Sequence, residues 1–289
     1  MIRTILVPVA GDGSDDAASW TALAAARLLS AHLEFLLVHV DTANILAAAG
    51  SSDFGVDWMS TELLSDLEKE DHERAARARR FFQNFCEREQ IIVEAKPPGP
   101  HGISAEWLEE MGDEASQINR RARFSDLTVV SPKRQMQGFN SETIETAVMG
   151  SGRPILLAPP QRPSSLTRTV VLAWKETAEA ARAVTASMPF LSFADKIIVL
   201  SISETGPETI ESANKLADQL RWHRLDVEAR IVAPEQGDAP QTLVRAAQEA
   251  KADLIVMGAY GHNRVREMIF GGFTKHVLNG IDLAVLLCH

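Results

Sequence analysis

Four glycines near the C-terminus, Gly258, Gly261, Gly271 and Gly272, lie in "DLIVMGAYGHNRVREMIFGGFTKHVL", where an apolar run gives way to a polar stretch and then to a helical pattern. The chemistry that such glycines serve is anion binding. Backbone N–H groups at a helix start carry partial positive charge, and residues without a Cβ let a phosphate come close to them. Arg264 and Arg266, between the glycines, could flank phosphates or stand in solvent. The same spacing also suits a strand end and a helix start that need positive φ with nothing bound. Neither the P-loop lysine pattern nor the dinucleotide-binding G-x-G-x-x-G spacing occurs in the chain.

Other residues offer less. His39, His101, His223, His262 and His276 lack zinc-ligand spacing, and His289 beside Cys288 reads as an incidental pair. No G-x-S-x-G elbow is present. "HVD", His39 to Asp41, ends a strand pattern and could bond locally, with no nucleophile to serve. Asp126 and Asp253 precede matching strand patterns at the edge opposite the glycines, which suits capping. Enzymatic activity is therefore not expected, beyond a slow ATPase whose base and metal ligand are both unassigned.

The elements that must position the glycines repeat within the chain. "IRTILVPVAGDGSDDAASWTALAAARLLSAHLEFLLVHV" from Ile2 resembles "TRTVVLAWKETAEAARAVTASMPFLSFADKIIVLSI" from Thr167. "FSDLTVVSPKR" (Phe124 to Arg134) matches "KADLIVMGAYG" (Lys251 to Gly261), and "GRPILLAP" matches "GIDLAVLLCH". Apolar runs alternating with helical patterns predict βαβ units around buried parallel strands. In the second half the strands are placed at Thr169–Trp174, Lys196–Ser201, Asp226–Val232, Leu254–Gly258 and Ala284–Cys288. Helices are placed at about 207–223, with Ile210, Ala213, Leu216, Ala217 and Leu220 on one face, and at about 240–250. The polar "PPQRPSSLTR" (Pro159 to Arg168) reads as a linker. The first half is longer, mainly through an insertion at 41–59 ahead of a charged helix at about 60–89.

A net charge of −10 disfavours general nucleic-acid binding, because phosphate backbones reward clustered cations. The basic run "RAARARR", Arg74 to Arg80, reads as the solvated face of that charged helix. Apolar runs are of strand length, so no membrane span is expected. Cys86 and Cys288 lie far apart, which fits a reducing cytosol.

"GAYGHNRVREMIFGG", G-x2-G-x9-G through Gly258, Gly261 and Gly271, resembles the signature of the universal stress protein family. So do the opening "TILVPV" with "GDGS", the stretch "GDAPQTLVRAAQEAKADLIVMGAYGH" and the closing "AVLLC". The resemblance covers the chain as a tandem pair and implies an α/β fold. Two adenine-nucleotide-binding-like domains are implied, each a five-stranded parallel sheet flanked by helices. Their bounds are 1–160, degenerate and with the long insertion, and 167–289, with the Gly-rich motif.

The resemblance further implies ATP or a related adenine nucleotide as ligand, with Mg2+ left open as its companion. Gly258 and Gly261 would face ribose and phosphate, and Gly271, Gly272 and Thr274 would offer N–H or hydroxyl groups to phosphates, with Arg264 at their flank. Adenine would be read by backbone near Ile202 and Val232. Two departures stand out. Gly272 lies where the family usually has Ser or Thr, and Lys175, after Trp174, lies where nucleotide-binding members usually carry an acid. In the first half only Gly138 interrupts the stretch before Gly150, so the phosphate spacing is gone and a scaffold is expected.

The family's pairing of last strands implies that "PILLAP" (Pro154 to Pro159) and "LAVLLC" (Leu283 to Cys288) meet as a pseudo-dimer within one chain. Homodimerisation and protein partners stay open. Three readings follow: a cytoplasmic stress-response protein that binds nucleotide, an interaction scaffold that does not, and a slow ATPase.

Overall fold

Among the described residues, the apolar runs become strands and the alanine-rich or charge-patterned stretches become helices. The computed structural model describes residues 1–42, 61–93, 102–132, 138–202, 207–223, 225–235, 238–259 and 272–289, with backbone alone for 61–63 and 207–208. The insertion at 41–59 therefore falls almost wholly outside the described residues.

The N-terminal half contributes β1 (Thr4–Val9), α1 (Asp15–Leu29), β2 (His32–His39), α2 (Thr61–Glu89), β3 (Ile92–Val93), β4 (Ser104–Met111), α3 (Glu114–Ala122), β5 (Leu127–Val130), α4 (Ser141–Gly150) and β6 (Ile155–Leu157). The C-terminal half contributes β7 (Thr169–Ala173), α5 (Ala178–Leu191), β8 (Lys196–Ile202), α6 (Pro207–Arg221), β9 (Val227–Val232), α7 (Ala239–Glu249), β10 (Leu254–Gly258), α8 (Gly272–Leu278) and β11 (Ala284–Cys288).

All these strands join one sheet in the order β3-β4-β2-β1-β5-β6-β11-β10-β7-β8-β9. Neighbours within each half run parallel, and the two-residue β3 adds a sixth strand to the first half where five were expected. The halves meet at an antiparallel seam, with Leu157 opposite Val285 and Ile155 opposite Leu287. The two expected segments thus pair within the chain. Because the seam is antiparallel, the carboxyl edge of the C-terminal half and the amino edge of the N-terminal half share one end of the sheet.

Successive strand residues feed two cores. Ile197 and Val199 of β8 pack with α1, α2, α5 and α6 residues on one face, while Ile198 and Leu200 pack with α3, α4, α7 and α8 residues on the other. Strands covered on both faces need no polar alternation, which is why they read as unbroken apolar runs. Fully buried Phe35, Phe85 and Phe190 contribute roughly 1.5–3 kcal/mol each through area removed from water. In α6, Ala213, Ala217 and Leu220 are buried but Ile210 is 51% exposed, so the apolar face is narrower than the spacing predicts.

Helix starts follow their capping residues. Asp113, Asn140, Thr177 and Asp238 each accept an N–H three residues on, at 2.8, 2.7, 3.3 and 2.9 Å. Asp126 and Asp253 do the same for strands: Asp126 accepts from Arg3 and Thr4 N–H, and Asp253 from Thr169 N–H and the Arg168 side chain. The linker is docked. Arg162 lies 3.7 Å from the ring centroid of Trp20, and Leu166 is buried.

Candidate functional site

In open α/β sheets ligands sit beyond the carboxyl ends of the strands. This sheet has two such edges, one per half, and they are built differently.

At the C-terminal half's edge, Ile202 and Val232 end β8 and β9 as register partners, both half-buried, on the same face as Ala173 and Ala259. The fold thus brings together the two residues predicted near adenine. Trp174, at the end of β7, packs instead toward the opposite core and donates from Nε1 to Ser212 Oγ of α6 at 3.0 Å. Its carbonyl accepts the Ser201 hydroxyl at 2.9 Å. Lys175 follows it in an exposed position, its carbonyl accepting the Thr177 N–H at 2.7 Å.

Gly258 ends β10, and its close approach is to protein. A Cβ there would stand 2.5 Å from Ala180 N and 2.6 Å from the Glu179 carbonyl carbon, so α5 can lie against β10 only because position 258 has no side chain. The Ala259 N–H donates to Cys288 O at 2.8 Å, and His289 Nδ1 lies 3.1 Å from Ala259 O. Gly261, Arg264 and Gly271 lie outside the described residues. Gly272 opens α8 in an exposed position where, among the described residues, a Cβ would meet Pro240 Cγ at 3.5 Å. Thr274 is buried in that helix. Among the described residues no cluster of His, Cys, Asp or Glu could hold a metal ion.

The N-terminal half's edge is occupied by its own charges. Arg74 of α2 donates to Ala10 O at 3.2 Å, to Val38 O at 2.6 Å and to Asp71 Oδ1 at 2.5 Å. Asp71 also meets His39 Nδ1 at 2.6 Å. Burial opposes the Asp71 charge, but the bonds from Arg74 and His39 hold its carboxyl below the usual value. The sequence reading placed Arg74 on a solvated face; its side chain is only 18% exposed, because α2 packs this turn against the ends of β1 and β2. Likewise His39 bonds to α2 rather than locally.

On the same edge, Asp12 accepts the Ser14 hydroxyl at 2.6 Å and the Gly138 N–H at 2.9 Å. Burial works against its ionisation, yet these bonds keep Asp12 below its ordinary value. Ser14 is the cap residue of α1 but makes no side-chain cap bond; Asp15, one residue later, instead accepts the Ala10 and Gly11 N–H groups at 2.7 and 3.1 Å. Only the "GDGSDD" and "RAARARR" compositions signalled these residues. Neither string reveals that they would meet.

Residues 167–289 match the sequence model of the Universal stress protein family. Over these residues, the C-terminal half, the chain is similar to that family. Universal stress protein Slr1230 of Synechocystis is 26% identical over 161 residues, covering 52% of this chain and 52% of that relative, so the match spans about half the relative's length. Among solved structures, a universal stress protein from Archaeoglobus fulgidus DSM 4304 matches 99% of this chain and 95% of its own, with TM-score 0.70 at 14% identity. A putative universal stress protein from Pseudomonas aeruginosa UCBPP-PA14 matches 100% of this chain and 93% of its own, with TM-score 0.56 at 16% identity. At such identities the likeness is one of fold. It extends over both halves, so the shared fold includes the half in which the Gly-rich spacing is absent.

Proposed function

We propose that this protein is a cytoplasmic stress-response protein whose C-terminal half binds ATP or a related adenine nucleotide at the carboxyl edge of β7, β8 and β10. Residues 1–160 act as a scaffold domain and residues 167–289 as the nucleotide domain. The observation that carries this reading is the contrast between the two edges. Arg74 and Asp12 fill the edge of the half without the Gly-rich spacing, whereas the half with that spacing leaves the Ile202–Val232 pair half-buried beside it. Adenine would lie near this pair. Phosphates, with or without Mg2+, would meet N–H groups of the stretch from Gly258 to Gly272, the Thr274 hydroxyl, Arg264 and Lys175. Nucleotide then shifts a conformational or partner equilibrium by differential affinity. No catalytic residue is assigned.

A second reading, a scaffold that binds no nucleotide, is favoured by Lys175 and Gly272, the two departures from the family pattern. Mass spectrometry of small molecules released on denaturation, followed by calorimetric titration of ATP with magnesium, separates the two. One site per chain that disappears in Gly261→Val and Gly271→Val, with the fold retained, supports the nucleotide reading. No released nucleotide and no heat at millimolar-scale ATP would sink it.

A further inference from the structure

The amino edge of the N-terminal half carries two exposed apolar side chains and three exposed arginines, of which Arg3 also donates to Leu29 O and Ser30 O. Phe124 is 78% exposed and Met149 is 49% exposed. Two hydrogen bonds join the chain beside each: Arg123 Nε donates to Gly150 O at 3.3 Å, and Arg153 Nε donates to Arg123 O at 3.4 Å. Arg3, Arg123 and Arg153 are all exposed. The carboxylate among them, Asp126, is half-buried and already engaged, accepting the Arg3 and Thr4 N–H groups at 2.7 and 3.2 Å and lying 4.0 Å from Arg153. The patch is thus basic on a chain whose net charge is −10.

The internal repeat shows that the fold does not require this phenylalanine. "FSDLTVV" aligns with "KADLIVM", which places Lys251 at the position equivalent to Phe124. An exposed aromatic that the same fold replaces with lysine elsewhere is a surface feature in its own right.

We propose that this edge is a docking surface for an acidic segment of a partner protein, with an apolar side chain seated on Phe124 and Met149 and carboxylates meeting Arg3, Arg123 and Arg153. Arginine around an aromatic anchor is the composition of a protein-binding hot spot, and rim charges set attraction and its salt dependence. Three arginines around an apolar centre make a poor track for a phosphate backbone, which rewards extended runs of cations.

The test is fluorescence anisotropy of the full chain with a short fluorescein-labelled peptide of glutamates flanking a Leu-Phe-Leu centre. The expected result is saturable binding that weakens with salt, and that falls about tenfold or more in Arg123→Glu/Arg153→Glu. Phe124→Lys is the sharper variant, since the repeat accommodates lysine there. It adds charge while removing the anchor, so the proposal expects weaker binding. Unchanged or tighter binding in Phe124→Lys would overturn it. So would absence of binding, preference for a labelled single-stranded oligonucleotide or anionic vesicles, or a concentration-dependent self-association abolished by Phe124→Lys, which would make a second copy of the chain the occupant. Circular dichroism verifies that each variant is folded.

Discussion

The Gly138 N–H donates to the Asp12 carboxylate at 2.9 Å, joining the loop after β5 to the loop after β1. In the half that carries the Gly-rich spacing, the corresponding backbone is proposed to meet a phosphate. Here a resident carboxylate takes the donor, and the Arg74 guanidinium takes the nearby strand-end carbonyls Ala10 O and Val38 O. An edge that satisfies its own donors and acceptors has little left to offer a ligand.

Arg74→Ala is expected to destabilise the protein by about 2–4 kcal/mol, because it leaves two strand-end carbonyls and the largely buried Asp71 without their charged donor. Chemical denaturation measures this. The number of ATP sites per chain should not rise in the variant; a second site of comparable affinity would mean that Arg74 was masking a working cleft.

Gly138 has φ +89°, and a Cβ there would lie 2.9 Å from Ser131 O. Gly138→Ala should therefore cost about 1–3 kcal/mol in thermal or denaturant unfolding. Nucleotide affinity in the other half should stay as it was, and a large loss of affinity in a folded variant would contradict the scaffold role of residues 1–160.

Two glycines of the Gly-rich stretch are expected to behave oppositely. Gly258→Ala drives a methyl group into the α5 backbone and should unfold or severely weaken the C-terminal half with no ligand present. Gly272→Ser meets, among the described residues, only Pro240 Cγ at ordinary contact distance and should fold normally. It also adds the hydroxyl usual in the family, so ATP should bind about tenfold more tightly, as one added hydrogen bond to a charged group would give. Calorimetry on Gly272→Ser and melting of Gly258→Ala test the pair.

Burial raises the Asp15 carboxyl to about 6 against the hydrogen bonds from Ala10 and Gly11. A group raised in the folded state favours folding when protonated, so its contribution is complete below the unfolded value near 3.8 and fades as pH rises through about 6. Stability should therefore fall by about 1 kcal/mol from this group between about pH 5 and about pH 8. Asp15→Asn should flatten that part of the urea-denaturation profile; an unchanged profile would assign the slope to other groups.

Strand positions were legible because buried parallel strands are written as continuous apolar runs, and β10 and β11 fall at the predicted residues. The seam was legible through the resemblance to the universal stress protein family, whose pairing of last strands implied that "PILLAP" and "LAVLLC" would meet. What the sequence could not display was long-range charge pairing. Arg74 looks like any helix arginine until α2 is placed across the ends of β1 and β2, and Asp12 resembles a turn residue until Gly138 arrives. Gly258 was legible as a place of close approach, but its visible neighbour is α5.

The seam between β6 and β11 also governs the order in which the chain can be completed. β6 is made well before its antiparallel partner, because the whole C-terminal half up to β11 lies between them in the chain. Until β11 arrives, Ile155, Leu156 and Leu157 form an uncovered apolar edge open to pairing with another nascent chain. Closing so distant a pair carries a loop-entropy cost that local βαβ units avoid, which makes seam formation a late step in folding. A chain cut short before Ala284 would therefore be prone to aggregate through its first half, although every residue of that half is present.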